Sequence, residues 1–320
     1  MRKKIFFLLK LILVIAIFYW IMKSVNLTET YNTLLKANLI LVVIAFLMNN
    51  LSNIFLTIKW YRLSKPLKIK SSFLELLKLN YISIFYSSFL PGQTSGELVK
   101  GAKLTKAEGA VQKVWIPIFI DKATNLLITF LIGFVAIIMD EKLRNNNYLL
   151  FSVSIATLLF TFITMILFSE HTEKAIRFLK DKLVQIMDIL KINSSLIKQL
   201  SVSYLDYYKK HDLLMLETLI WSILIKMPHI FAFYFLALSL NITIDITQAA
   251  WLFAVVFLVT ILPVTFSGLG VREGAVIIIL SEFGIDKSSA LGLSVLIFTL
   301  GIAMALIGGI GELCPNNNKK

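Results

Sequence analysis

The sequence predicts an all-α polytopic membrane protein of six to eight transmembrane segments, two of them broken by proline and glycine. Three observations carry this. Apolar residues make up 58% of the chain and charged residues 16%, with a mean hydropathy of +0.81. Soluble domains run nearer ~25% charged, so too little polar surface is available to coat a water-soluble globule. Apolar stretches approaching the ~20 residues that a ~30 Å hydrocarbon core requires recur along the chain. Finally, basic residues alternate between rich and poor connections. The 32 Lys and Arg against 19 Asp and Glu give a formal charge of +13. In a membrane chain that excess follows from the positive-inside rule, and no nucleic-acid partner is expected.

The clear spans are 5–22, 38–58, 114–139, 148–168, 213–240 and 289–311; 73–90 and 247–262 are marginal, and each runs into Leu-Pro. Arg2-Lys3-Lys4 before the first run resembles the start of a secretory signal. The bulky Tyr19-Trp20-Ile21-Met22-Lys23 offers no small-x-small cleavage site, so a retained helix with a cytoplasmic N-terminus is expected. Lys59, Arg62, Lys65, Lys68 and Lys70 follow the second span, and Lys100, Lys103, Lys106 and Lys113 follow the third. Residues 169–212 carry eight Lys and Arg, whereas the other connections hold only Lys23 and Lys36, Lys142 and Arg144, or none at 241–246. Basic connections inside the cell place both termini in the cytoplasm, in the plasma membrane. Lys10 reads as snorkelling to the headgroups, and Trp20, Trp60 and Trp115 as interfacial anchors.

The stretch 169–212 stands off the membrane. Ile176, Leu179, Leu183, Ile186 and Leu190 recur at helical spacing with Lys174, Lys180 and Lys182 between them. That pattern fits helices lying on the cytoplasmic leaflet; a plain connector between two halves fits as well. At 44 residues it is too small for a catalytic domain.

The marginal spans end alike. Leu90-Pro91-Gly92-Gln93-Thr94-Ser95-Gly96 and Leu262-Pro263-Val264-Thr265-Phe266-Ser267-Gly268 share L-P-x-x-x-S-G. Pro91, Gly92, Gly96, Pro263, Gly268 and Gly270 are the expected helix breaks, and broken backbone at membrane depth is tolerated only inside protein or along a wet cavity. Paired breaks in two halves point to a transporter-type site. The chain is therefore one membrane domain, 1–320, with one half at about 1–140 and the other at about 213–313. Because 73–90 enters from the cytoplasm and 247–262 from outside, the halves are expected to be inverted; the alternative is that each proline simply ends an ordinary span. Charges gather beside the breaks: Glu97, Lys100, Asp121 and Lys122 in the first half, Lys226, Arg272 and Glu273 in the second. A charge at the bilayer centre costs at least ~2.5 kcal/mol, so these groups must face one another or water. Glu97 has Lys122 or Arg272 as prospective partner, and the surplus cations suit an anionic headgroup, a phosphate above all.

Together these motifs resemble the transmembrane flippase-like domain of lysylphosphatidylglycerol synthases. The resemblance rests on Lys59-Trp60-Tyr61-Arg62, on Asn80 to Phe89 leading into Pro91 through Lys100, on Asp121-Lys122-Ala123-Thr124-Asn125, and on Pro263 through Ser267-Gly268-Leu269-Gly270-Val271-Arg272-Glu273. The family usually has Arg at the position of Lys100 and Glu-Arg-x-x-Asp where this chain has Asp121 to Asn125. Charge sign is kept at the first three positions, but Arg fork geometry and the last carboxylate are not. The resemblance implies movement of an anionic or glycosylated lipid, including a polyprenyl-phosphate-linked one, between leaflets. Other readings are a non-transporting partner of a glycosyltransferase or synthase, and an integral-membrane glycosyltransferase. The chain carries no D-x-D triplet, and Gly96 to Lys103 lacks the Gly-Lys-Ser/Thr ending of a P-loop. Cys314 is the single cysteine, and His171, His211 and His229 are scattered. No enzymatic activity, metal or cofactor is expected, and membrane lipids are the expected partners.

Overall fold

The computed structural model describes residues 25–90, 94–167, 212–261 and 268–313, together with a few isolated positions. The expected span 5–22, most of 169–212, and Pro91, Gly92 and Pro263 lie outside the described residues.

All regular structure among the described residues is helical. In chain order the α-helices are α1 (Leu27–Leu35), α2 (Leu39–Ser64), α3 (Phe73–Phe89), α4 (Ser95–Glu108), α5 (Val111–Met139) and α6 (Glu141–Arg144). They continue with α7 (Asn147–Leu167), α8 (Asp212–Ser239), α9 (Ile246–Ile261), α10 (Val271–Glu282) and α11 (Lys287–Leu313). Their starts follow local chemistry. The Asn26 and Asn38 side chains accept from the first free N–H groups of α1 and α2, and Ser72 with Glu75 forms a reciprocal capping box on α3. Helix α4 stops at Gly109, whose φ of +71° suits a residue without Cβ.

At 1.5 Å per residue the 29 residues of α5 extend about 43 Å, enough to cross a ~30 Å core, whereas the 16 of α9 reach only about 24 Å. Helices α2, α5, α8 and α11 are each long and apolar enough to span a membrane. The distribution of side chains is that of a lipid-soluble body. Leu39, Ile40, Tyr148, Phe151, Leu158 and Phe162 lie on the outside, while Lys59, Asn80, Lys100, Asp121 and Lys226 are buried.

The longest interface is the antiparallel pair α2–α8, pinned at four levels. The Asn38 N–H donates to the Ser239 carbonyl, Ser52 meets Ile225 and His229, Lys59 donates to Ser222, and Arg62 forks onto Glu217. Each broken helix then packs on the long helix of the other half. Helix α3 lies along α11, where a Cβ on Gly308 would sit 2.0 Å from the Tyr81 carbonyl oxygen; only glycine allows this approach. Helix α9 lies along α5, with Gln248 donating to Asp140 and Gly133 facing Trp251 and Ala254.

These contacts sort the element ends into two groups. One end of the bundle gathers Asn38, Ser239, Asp140, Gln248 and the Glu29–Ser288 bond. The other gathers Arg62–Glu217, Lys103–Glu312 and the Glu108 carboxylate, which accepts from the Lys70 and Ser71 N–H groups. Segment α3–α4 thus enters from one end and returns to it, while α9 starts at the opposite end.

A helix covers each expected span among the described residues, with shifted bounds, and those at 38–58, 114–139, 213–240 and 289–311 are long and apolar enough to cross a membrane. Two expectations fail. Lys59 does not lie in a basic connection: α2 runs on to Ser64, and Lys59 is wholly buried inside it. Trp60 is not an interfacial anchor, being fully buried beneath Lys100. Both misreadings arise because the run 38–58 ends on its apolar residues, while the helix continues as long as its polar ones find partners. The charges beside the breaks stand on the helices α4 and α10, apart from Asp121, Lys122 and Lys226 on the long helices.

Candidate functional site

A cavity of about 330 Å³ lies between α3, α9 and the long helices, beside the first turns of α4 and α10. One side is polar: Asn49 of α2, Asn80, Ser83, Ser87 and Ser88 of α3, then Thr94 and Glu97. Asn80, Ser83 and Ser87 recur at intervals of three and four, so they stand on one face of α3. The other side is largely apolar, with Phe253, Val256 and Phe257 of α9 and Phe298 and Met304 of α11; His229 of α8 lies among these walls. Lys122 from α5 and Arg272 from α10 reach the same space.

Of the charges expected at the site, Glu97, Lys122 and Arg272 line this cavity, and the others stand behind them. Glu97 occupies the first turn of α4, where a carboxylate suits the helix dipole. One of its oxygens is 3.6 Å from Lys122 Nζ and the other 3.7 Å from Lys100 Nζ. Both distances exceed a hydrogen bond, and the Lys100 ammonium, fully buried, sits instead 3.7 Å from the centre of the Trp60 ring. Lys100 therefore backs Glu97 rather than facing the cavity, contrary to the expectation that it holds a phosphate. Glu97 pairs with Lys122 and not with Arg272.

Arg272 pairs with its own neighbour. Its Nε and Nη2 both donate to Glu273 Oε1, while Glu273 Oε2 accepts from the Gly270 N–H. Glu273 thus caps α10 and holds the guanidinium at once. The local backbone needs glycine here: Gly268 and Gly270 have φ of +76° and +84°. The guanidinium also lies 4.9 Å from the centre of Phe298. Among the described residues, three of the five guanidinium N–H groups have no acceptor.

Lys226 has its ammonium 3.5 Å from the centre of Phe257 and 5.4 Å from that of Phe253, two cavity-lining rings; among the described residues it forms no ion pair. Asp121 is bound elsewhere. Its Oδ1 receives Lys59 Nζ at 2.8 Å and the Asn125 amide at 2.9 Å, and the same ammonium donates to Thr124 at 2.8 Å and Ser222 at 2.7 Å. All three Lys59 protons are used, joining α2, α5 and α8 one residue away from Lys122. In all, Lys59, Lys100, Lys122, Lys226 and Arg272 stand against Glu97, Asp121 and Glu273, so with every group ionised the site has an excess of positive charge.

The sequence reading did not single out Lys59, Asn80 or His229 for the site. The polar stripe of α3 was legible as a period in an apolar run. The role of His229 was not, because it depends on Ser52, 177 positions away. Within the described residues no group of three His, Cys, Asp or Glu side chains is placed to hold a metal ion.

The fold and this buried charged cavity define a polytopic α-helical integral membrane protein. Residues 7–309 match the family described as the lysylphosphatidylglycerol synthase TM region, and the chain belongs to that family. It is also 22% identical over 327 residues to the UPF0104 membrane protein PH1989 of Pyrococcus horikoshii, a match that covers 97% of this chain and 96% of that protein. No solved structure matches the chain.

Proposed function

We propose that this protein is a flippase-like carrier that moves a lipid with an anionic, phosphate-bearing headgroup, glycosylated or not, between the leaflets of the plasma membrane. The observation that supports it best is the cavity where Arg272 and Lys122 converge, with apolar walls for acyl chains and an excess of cationic over anionic side chains around it. In this reading the protein performs no covalent step. Phosphate enters beside Arg272, whose three N–H groups without an acceptor among the described residues receive it, and competes with Glu97 for Lys122. Protein purified into nanodiscs of mixed phosphatidylcholine and phosphatidylglycerol should retain the anionic lipid above its bulk fraction after the surrounding lipid is exchanged. Retention in proportion to bulk composition would remove the headgroup site.

The proposal includes an inverted repeat relating α2–α5 to α8–α11. Matching pairs support it: α2 packs on α8, α3 on α11 and α9 on α5, and Glu97 and Glu273 occupy the same third position of the helices that follow the breaks. Such an arrangement lets a midplane site open to either side in turn. With both termini cytoplasmic, reporters inserted after Asn145 and after Ile244 should read as external, and one after Gly109 as cytoplasmic. A cytoplasmic signal at Ile244 with an external one at Asn145 would set the two breaks on the same side and end the inverted-repeat argument.

A further inference from the structure

We infer that His229, with Asn80, selects a headgroup carrying a neutral hydroxyl beside its phosphate; this rests on reading the cavity as a lipid-headgroup site. The Ser52 hydroxyl has one hydrogen, and it donates to the Ile225 carbonyl at 2.7 Å. His229 Nδ1 lies 2.6 Å from the same Ser52 oxygen and 3.0 Å from the Ile225 carbonyl oxygen. With Ser52 donating to Ile225, a bare Nδ1 would set its lone pair against both oxygens, so the hydrogen is assigned to Nδ1, which donates to Ser52. In the neutral ring Nε2 is then an acceptor. The ring is further fixed by stacking on Phe253, with centroids 5.6 Å apart. Because its Nδ1 edge is turned to Ser52 and the backbone, the edge left for the cavity it lines is that of Nε2.

Asn80 repeats the pattern independently. Thr57 spends its hydroxyl hydrogen on the Asn53 carbonyl at 2.7 Å, so it can only accept from the Asn80 amide at 2.8 Å. This sets the amide orientation and makes Oδ1 the remaining atom; it is buried and, among the described residues, receives no hydrogen bond. Asn80 is 2% exposed and lines the same cavity. Two side chains from different helices thus have a committed N–H and an acceptor without a partner among the described residues. Acceptors beside cations call for a ligand with an anion and a donor. The donor is a hydroxyl rather than an ammonium, because Lys226 sits over Phe253, the ring on which His229 stacks, and the surrounding charge is positive.

The test compares binding of phosphatidylglycerol, phosphatidylpropanol and phosphatidylethanolamine to protein in phosphatidylcholine nanodiscs. Glycerol and propanol share a carbon skeleton, so their difference isolates the hydroxyls. Wild-type protein should prefer phosphatidylglycerol over phosphatidylpropanol by about three- to tenfold, the range of one or two neutral hydrogen bonds. His229→Phe keeps a ring against Phe253 but has no acceptor; it should lose that preference through weaker phosphatidylglycerol binding alone. His229→Gln, which returns an acceptor at similar reach, should restore part of it. Equal wild-type binding of the two anionic lipids, equal weakening of both in His229→Phe, or stronger binding of phosphatidylethanolamine would each overturn the inference. Arg272→Gln separates this from the underlying reading: it should weaken both anionic lipids, and if it weakens neither, the headgroup site itself fails.

Discussion

Replacing Lys59 by Met should destabilise the protein by about 3–5 kcal/mol, the cost of leaving one partner of a buried ion pair behind. Lys59 and Asp121 are 0% and 1% exposed, and the ammonium is the only cation in direct contact with that carboxylate among the described residues. Methionine nearly preserves the length and bulk of the side chain, so little of the loss can come from packing. Thr124 and Ser222 would survive, since their hydroxyls also donate to the Ile120 and Thr218 carbonyls. Asp121 would keep the Asn125 amide but no cation in direct contact with it among the described residues. The double variant Lys59→Met, Asp121→Leu removes both charges and should recover most of the loss, as buried pairs exchanged for apolar residues often do. Thermal unfolding of the variants in one detergent checks this. A double variant as unstable as the sum of the two single ones would mean that Lys59 and Asp121 act separately.

The second large effect falls on transport. Arg272→Gln should lower the rate of lipid translocation by about tenfold to a hundredfold, the worth of one or two charge-assisted hydrogen bonds at the phosphate. Arg272→Lys keeps the charge but cannot hold two oxygens in a plane, so it should fall between wild type and Gln. The Gly270–Glu273 cap does not involve the guanidinium, and α10 should remain folded in both variants. Unchanged translocation in Arg272→Gln would take the guanidinium out of the mechanism and leave the Arg272–Glu273 pair as a brace for the second break.

Much of the fold was legible because the bilayer imposes a single length rule on apolar runs, and the long helices obey it. The identities of Arg272, Glu97 and Lys122 as cavity residues were legible too, since a charge beside a helix break has few places to go. Partners were not. Glu97 was open to Lys122 or Arg272 on sequence grounds, and the choice is made by α4 folding back along α3. There the Gly96 N–H donates to Ser87, and a Cβ on Gly96 would lie 1.9 Å from the Ser83 carbonyl oxygen. Lys59 was misplaced for a related reason. Hydropathy counts a lysine as a helix end, but three well-placed acceptors from two other helices make burial tolerable.

The central claim is that this cavity carries a phosphate-bearing lipid across the bilayer. A leaflet-resolved assay tests it most directly: purified protein in liposomes with headgroup-labelled phosphatidylglycerol, quenched from outside, with and without an imposed proton gradient. The account predicts that label in the inner leaflet becomes accessible faster than in protein-free vesicles, and that Arg272→Gln removes most of the increase. Folded wild-type protein that leaves the rate at the protein-free value under both conditions would contradict it.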